Sequence, residues 1–127
     1  VSPSLSFSRT VAEVLGLSYT VLEKERLGDT EVEVRAEAAP SLEGRDVLIV
    51  DDIISTGGTI EAAAKRVLAM GAKRVLVACA HALLVGGAEY RIFSSGVEEL
   101  VASDTVPSPY SVVSAVPVVA EYLRRRV

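Results

Sequence analysis

An unbroken apolar run, Val47-Leu48-Ile49-Val50, meets two consecutive carboxylates, Asp51 and Asp52, and then turns through Ser55-Thr56-Gly57-Gly58-Thr59 into an alanine-rich stretch. A run with no polar alternation suits a parallel strand buried on both faces, which Asp51 is expected to end abruptly. The segment after it, residues 60–70, carries Ala62, Ala63, Ala64, Val67, Leu68 and Met70 at helical spacing, with Gly71 supplying the stop. A buried strand that feeds straight into a helix must return to the same sheet by a crossover, so the chain is committed to an α/β architecture.

The remaining residues repeat that theme. A second buried strand is expected at residues 75–78, a Gly86-Gly87 loop, a helix over 88–93 closed by Gly96, a strand near 99–102, a short strand near Val112 and a final helix from Pro117 to Arg125. Near the amino terminus Phe7, Val11, Val14 and Leu15 predict a short helix stopped by Gly16. Residues 19–22 and the alternating Val32 and Val34 read as the stalks of a projecting hairpin, with a charged, turn-prone stretch from Glu23 to Asp29 between them. Strands alternating with helices give a doubly wound, mostly parallel sheet covered on both sides, with ligands bound beyond the carboxyl ends of its strands. At 127 residues, half of them apolar, the chain is expected to form one domain, residues 1–127.

Composition narrows the function. The formal net charge is -4 and the cations are scattered apart from Arg124-Arg125-Arg126, which leaves no basic face for nucleic acid. The lone Cys79 sits in an apolar run, precludes an intrachain disulfide and suits a reducing compartment. No apolar stretch has the length of a membrane span. A soluble cytoplasmic protein, with no nucleic-acid and no membrane partner, is the expectation.

The loop at 51–59 carries the chemistry. Gly57 and Gly58 let backbone N–H groups turn inward with no Cβ in the way, and the helix start adds unpaired amides and a positive dipole end. Ser55, Thr56 and Thr59 add hydroxyl donors, so residues 55–59 make a cup for a phosphate. Asp51 and Asp52 at its rim suit ribose hydroxyls or magnesium (Mg2+). Acid, acid, then anion cup is the order that grips a sugar phosphate at both ends. No glycine loop ending in Gly-Lys-Ser or Gly-Lys-Thr and no G-x-G-x-x-G is present.

The acid pair with Thr56-Gly57 and Gly58-Thr59 resembles the phosphoribosyl-binding loop of type I phosphoribosyltransferases. Further segments resemble one branch of that superfamily, the carboxy-terminal half of ribose-phosphate pyrophosphokinases. Val1-Ser2-Pro3 is similar to the strand end that opens the family's pyrophosphate loop, and Glu23-Lys24-Glu25-Arg26 with Glu31-Val32 to its catalytic hairpin. Ala80-His81-Ala82-Leu83-Leu84 with Gly86-Gly87, and Ser103-Asp104-Thr105-Val106-Pro107, fall in the family's order and spacing. The resemblance implies transfer of a pyrophosphoryl group from Mg-ATP to the 1-hydroxyl of ribose 5-phosphate, giving phosphoribosyl pyrophosphate (PRPP) and AMP. It further implies a homo-oligomer, Lys24 and Arg26 as the phosphate clamp, and residues 51, 52 and 55–59 as the ribose 5-phosphate site. On an extended stalk, an i, i+2 pair such as Lys24 and Arg26 would point to one side. Ser2, Ser4, Arg9 and His81 are candidates for pyrophosphate or ATP; His81 either bonds a phosphate or satisfies loop carbonyls.

Two departures matter. Where the family continues Ser-Pro with an aspartate and glycines, this chain reads Ser4-Leu5-Ser6-Phe7-Ser8, and Ser55 stands where many members carry an aspartate. The family's amino-terminal half, which supplies much of the adenine pocket, has no counterpart here. A weakly active or inactive isolated chain is therefore expected. Two alternatives stay open: a phosphoribosyltransferase joining a base to PRPP, and a non-catalytic partner subunit that keeps the loop.

Overall fold

Parallel pairing starts where the apolar run begins. The computed structural model describes residues 3–20, 22–27, 31–36 and 41–127, with stretches 3–6, 23–27 and 31–36 as backbone only. Its elements are α1 (Pro3–Leu15), β1 (Leu22–Leu27), β2 (Glu31–Ala36), β3 (Asp46–Ile54), α2 (Gly58–Ala69), β4 (Arg74–Ala82), α3 (Ala88–Ser94), β5 (Val97–Ser103), β6 (Ser111–Val113) and α4 (Val116–Arg124). Strands β3, β4, β5 and β6 form one parallel sheet in that order, and β1 and β2 form a separate antiparallel hairpin.

The core lies between this sheet and two helices. Ile60, Ala64 and Val67 of α2 and Ala88 and Ile92 of α3 pack with Val75, Val77, Cys79, Val97, Leu100 and Ala102 of the strands. Both helical crossovers proceed in one direction along the sheet, and right-handed connections then bring α2 and α3 to a common face, where they touch each other. The opposite face is thinner than the expected even cover: Leu48 is 39% exposed, and Leu76 and Ala78 are half-buried. An apolar run therefore marked a strand with one sealed face rather than two.

Several boundaries differ from expectation, each for a local reason. Helix α1 begins at Pro3, because proline fits the first helical turn, so Ser4-Leu5-Ser6-Phe7 is helical and Pro3 does not close a strand. Val1 and Ser2 lie outside the described residues. The charged stretch Glu23-Lys24-Glu25-Arg26 is strand, not turn, because it pairs in register with Arg35, Val34, Glu33 and Val32. Residues 28–30 between the two strands lie outside the described residues, while β2 runs beside α2. Strand β4 continues to Ala82, so His81 sits within a strand end rather than past it.

Strand β3 likewise continues through both acids, pairing Asp51 with Cys79 and Ile53 with His81. What changes at the acids is the alternation. Val47 and Ile49 pack toward the core below them, yet above them it is Ile54, 2% exposed, that is buried and Ile53 that faces out. Strand β4 shifts in the same way, from Val75, Val77 and Cys79 to Ala82. At the shift the carboxylates take over backbone partners: Asp51 Oδ1 accepts the amide of Asp52, and Asp52 Oδ1 that of Ile53, each at 2.8 Å.

At the carboxyl end of the chain, Asp104 Oδ1 accepts the Ala115 amide at 2.8 Å and pins the start of α4 to the end of β5; that bond holds the Asp104 carboxyl below its usual range. No residue of α4 is buried, and its Arg124 and Arg125 pair with Glu121. Among the described residues no helix is long and apolar enough to cross a membrane.

Candidate functional site

The end of β3, the turn after it and the first turn of α2 enclose a cavity of about 360 Å³ lined by residues 51–60. Gly57 makes the turn possible. It adopts a left-handed conformation, φ 82°, directly before α2, and a Cβ there would lie 3.0 Å from Ile92 Cγ1 and 3.3 Å from the Ala88 carbonyl oxygen. Gly58 is different: its nearest neighbour for an added Cβ is Thr56 Oγ1 at 3.9 Å.

The backbone of the loop is held from one side only. The Ile54 carbonyl accepts the amides of Leu83 (3.0 Å) and Leu84 (3.2 Å), the Ser55 carbonyl accepts the amide of Val85 (2.9 Å), and Arg91 donates to the Thr56 carbonyl. Leu84 reaches its place with a positive φ of 51°, a conformation that costs a branched side chain energy. By contrast, among the described residues no protein acceptor takes the amides of Ser55, Thr56, Gly57, Gly58, Thr59 or Ile60; the first bond of α2 is from Glu61 to the Gly57 carbonyl. Amides without protein partners at a helix start require water or a ligand, and their dipoles favour an anion.

The carboxylates stand beside these amides. Asp52 is held below the usual carboxylate range, first by its hydrogen bond with the Asp51 carboxyl, then by the Ile53 amide, with a smaller contribution from His81. Two carboxylates whose Oδ1 atoms are already engaged can offer magnesium a partial ligand set. Magnesium commonly takes one or two carboxylates together with substrate phosphates and water. Among the described residues no cluster of three or more His, Cys, Asp or Glu side chains forms a complete metal cage.

The structure brings Asp51, Asp52, Ser55, Thr56, Gly57, Gly58 and Thr59 together around one cavity. It places the other candidates elsewhere. His81 lies on the neighbouring strand, its Nδ1 2.7 Å from Thr105 Oγ1. Arg9 is on the exposed side of α1, paired with Glu13 at 3.0 Å, and does not line the cavity. Ser4 belongs to α1, Ser2 is outside the described residues, and Lys24 and Arg26 occupy alternate positions of β1. Sequence reasoning missed the supports from α3: Ile92 and Ala88 beneath Gly57, and Arg91, which also lies 3.9 Å from Glu61. No local pattern ties these residues to the loop.

Cys79, next to Asp51 across the sheet, is 7% exposed, and burial above all, with the Asp51 charge second, pushes its thiol from 9.0 up to about 11. That rise leaves about a hundredfold less thiolate, so Ellman's reagent should label the native chain roughly a hundred times more slowly than the denatured one at mildly alkaline pH. The folded value exceeds the unfolded one. The group therefore adds stability that is complete below 9.0 and is lost as pH rises toward about 11.

A parallel sheet with bare amides at a strand-to-helix turn places the chain among α/β proteins that carry their ligand loops at strand carboxyl ends. The phosphoribosyl transferase domain model matches residues 2–109, and the chain belongs to that family. A ribose-phosphate pyrophosphokinase of Methanopyrus kandleri is 46% identical over 114 residues, which are 90% of this chain and 39% of the relative. Ribose-phosphate pyrophosphokinase 2 of Archaeoglobus fulgidus is 41% identical over 118 residues, 93% of this chain and 43% of the relative. The crystal structure of phosphoribosylpyrophosphate synthetase from Mycobacterium smegmatis superposes with a TM-score of 0.74 at 26% identity, covering 97% of this chain and 41% of that one. The chain thus spans about two-fifths of the length of these relatives.

Proposed function

We propose that this chain is the ribose 5-phosphate-binding domain of a ribose-phosphate pyrophosphokinase. The observation that carries the reading is the row of amides from Ser55 to Ile60, unclaimed by described residues and adjoining two carboxylates in one cavity. The amides take the 5-phosphate, and Asp51 and Asp52 take the ribose hydroxyls and would hold a magnesium ion, which would supply positive charge for the phosphates. The full reaction moves the pyrophosphoryl group of Mg-ATP onto the ribose 1-hydroxyl, with attack on the β-phosphorus and AMP leaving. Lys24 and Arg26 of the β1–β2 hairpin supply the positive charge that the transferring group needs. The relatives are more than twice as long as the matched region, and the isolated chain is accordingly weak or inactive in turnover.

One observation favours a second reading, a non-catalytic module that keeps the sugar-phosphate loop: Ser4-Leu5-Ser6-Phe7 is wound into α1 where the resemblance called for a pyrophosphate loop. AMP release from Mg-ATP and ribose 5-phosphate, alone and with a relative's amino-terminal half added, separates the two. For the site itself, calorimetric titration should rank ribose 5-phosphate above inorganic phosphate, and phosphate above ribose. Ribose binding as tightly as its 5-phosphate would reject the anion cup.

A further inference from the structure

His81 is the only histidine of the chain, and its surroundings fix where its proton sits. Ser103 Oγ donates to the Ala80 carbonyl at 2.6 Å, and the same carbonyl lies 3.0 Å from Thr105 Oγ1. The Thr105 amide donates back to Ser103 Oγ at 3.2 Å, which holds the two hydroxyls as a unit at the end of β5. Thr105 Oγ1 is also 2.7 Å from His81 Nδ1.

A hydroxyl has one proton to give. If Thr105 gives it to Nδ1, its contact with the Ala80 carbonyl goes unused, and the group makes two hydrogen bonds, Ser103 to Ala80 and Thr105 to His81. If Thr105 gives it to the carbonyl, Nδ1 carries its own proton and donates it to Thr105, and the group makes three. The second arrangement leaves unused only the longest of these side-chain contacts, Ser103 Oγ to Thr105 Oγ1 at 3.1 Å.

We infer that Ser103 and Thr105 hold His81 in its Nδ1–H form, leaving Nε2 to accept a hydrogen bond from a sugar hydroxyl beside Asp52. A neutral imidazole with its lone pair on Nε2 repels a phosphate oxygen and attracts a donor. His81 stands outside the cavity wall, on the strand next to Asp51 and Asp52 and within electrostatic reach of Asp52, so it adds an acceptor beside the acids for a polyol whose hydroxyls extend past the rim. Thr105 acts here as a positioning residue, through His81. The assignment of the ligand rests on the ribose 5-phosphate reading above; the tautomer does not.

With one histidine, a long-range proton–nitrogen spectrum of the 15N-labelled 127-residue chain needs no assignment. In mildly alkaline buffer the wild type should show a protonated Nδ1 and a bare Nε2. Thr105→Val should move the proton to Nε2, and Thr105→Ser should restore the wild-type spectrum. Ribose 5-phosphate should shift the Nε2 resonance, inorganic phosphate should not, and Thr105→Val should weaken ribose 5-phosphate by roughly fivefold to tenfold while leaving phosphate unchanged. A wild type protonated at Nε2, or a valine variant with the wild-type spectrum, overturns the positioning role. A correct tautomer with no binding of ribose 5-phosphate overturns instead the reading of the site, and with it the ligand assigned to Nε2.

Discussion

Replacing Asp51 and Asp52 together by alanine should weaken ribose 5-phosphate binding by about a hundredfold or more, taking about 1.5–3 kcal/mol for each of two charged hydrogen bonds lost and about 1.4 kcal/mol per decade. Inorganic phosphate should respond the other way. It touches only the amide row, and removing two negative charges from the rim lowers repulsion, so its affinity should rise by about threefold to tenfold. The opposed signs make this variant informative: general damage to the loop would weaken both ligands, and a site elsewhere would leave both unchanged. Equal ribose 5-phosphate affinity in the variant and the wild type, measured by calorimetry, would remove the acids from the site. Cys79 gives an internal check, since loss of the Asp51 charge should lower its thiol from about 11 and quicken labelling.

Gly57→Ala should destabilise the chain by roughly 2–4 kcal/mol, about 1 for a side chain at positive φ and about 1–3 for overpacking against a filled core. The obstacle is specific. A Cβ would press on Ile92 Cγ1 at 3.0 Å and Cδ1 at 3.2 Å, and Ile92 is 0% exposed with no room to move. Ile92→Ala, which deletes both atoms, should cost about 2–5 kcal/mol on its own. The double variant should cost clearly less than the sum, because the clash with Ile92 is gone and only the backbone term and the 3.3 Å approach to the Ala88 carbonyl oxygen remain. Strict additivity in urea denaturation would mean that Gly57 and Ile92 do not share this contact. Gly58→Ala, with its nearest neighbour at 3.9 Å, serves as the control and should unfold within about 0.5 kcal/mol of wild type.

What the sequence made legible was the part whose causes are local. A strand, a glycine pair and a helix start follow one another within residues 47–60, so the loop and the parallel sheet could be read from adjacent residues. The shift of alternation at Asp51 and Asp52 was not legible, because it depends on how β4 pairs with β3. Nor was the strand character of Glu23-Lys24-Glu25-Arg26: composition argued for a turn, while pairing with β2 made a strand. The floor under Gly57 and the clasp of Arg91 on the Thr56 carbonyl come from α3, and the Thr105 contact with His81 from the end of β5. Contacts between distant segments leave no periodicity and no spacing to find. Pro3 misled for a different reason, since proline both opens helices and follows strands, and only the helical turns after it decide which.

Among the described residues, the walls of the cavity, residues 51–60, hold no lysine, arginine or histidine. The attraction that these walls exert on an anion comes from peptide groups and from the hydroxyls of Ser55, Thr56 and Thr59, none of which gains or loses a proton over the ordinary pH range. On the sugar-phosphate reading, the hold on the phosphoryl group should therefore show no inflection from a protein ammonium group on the alkaline side.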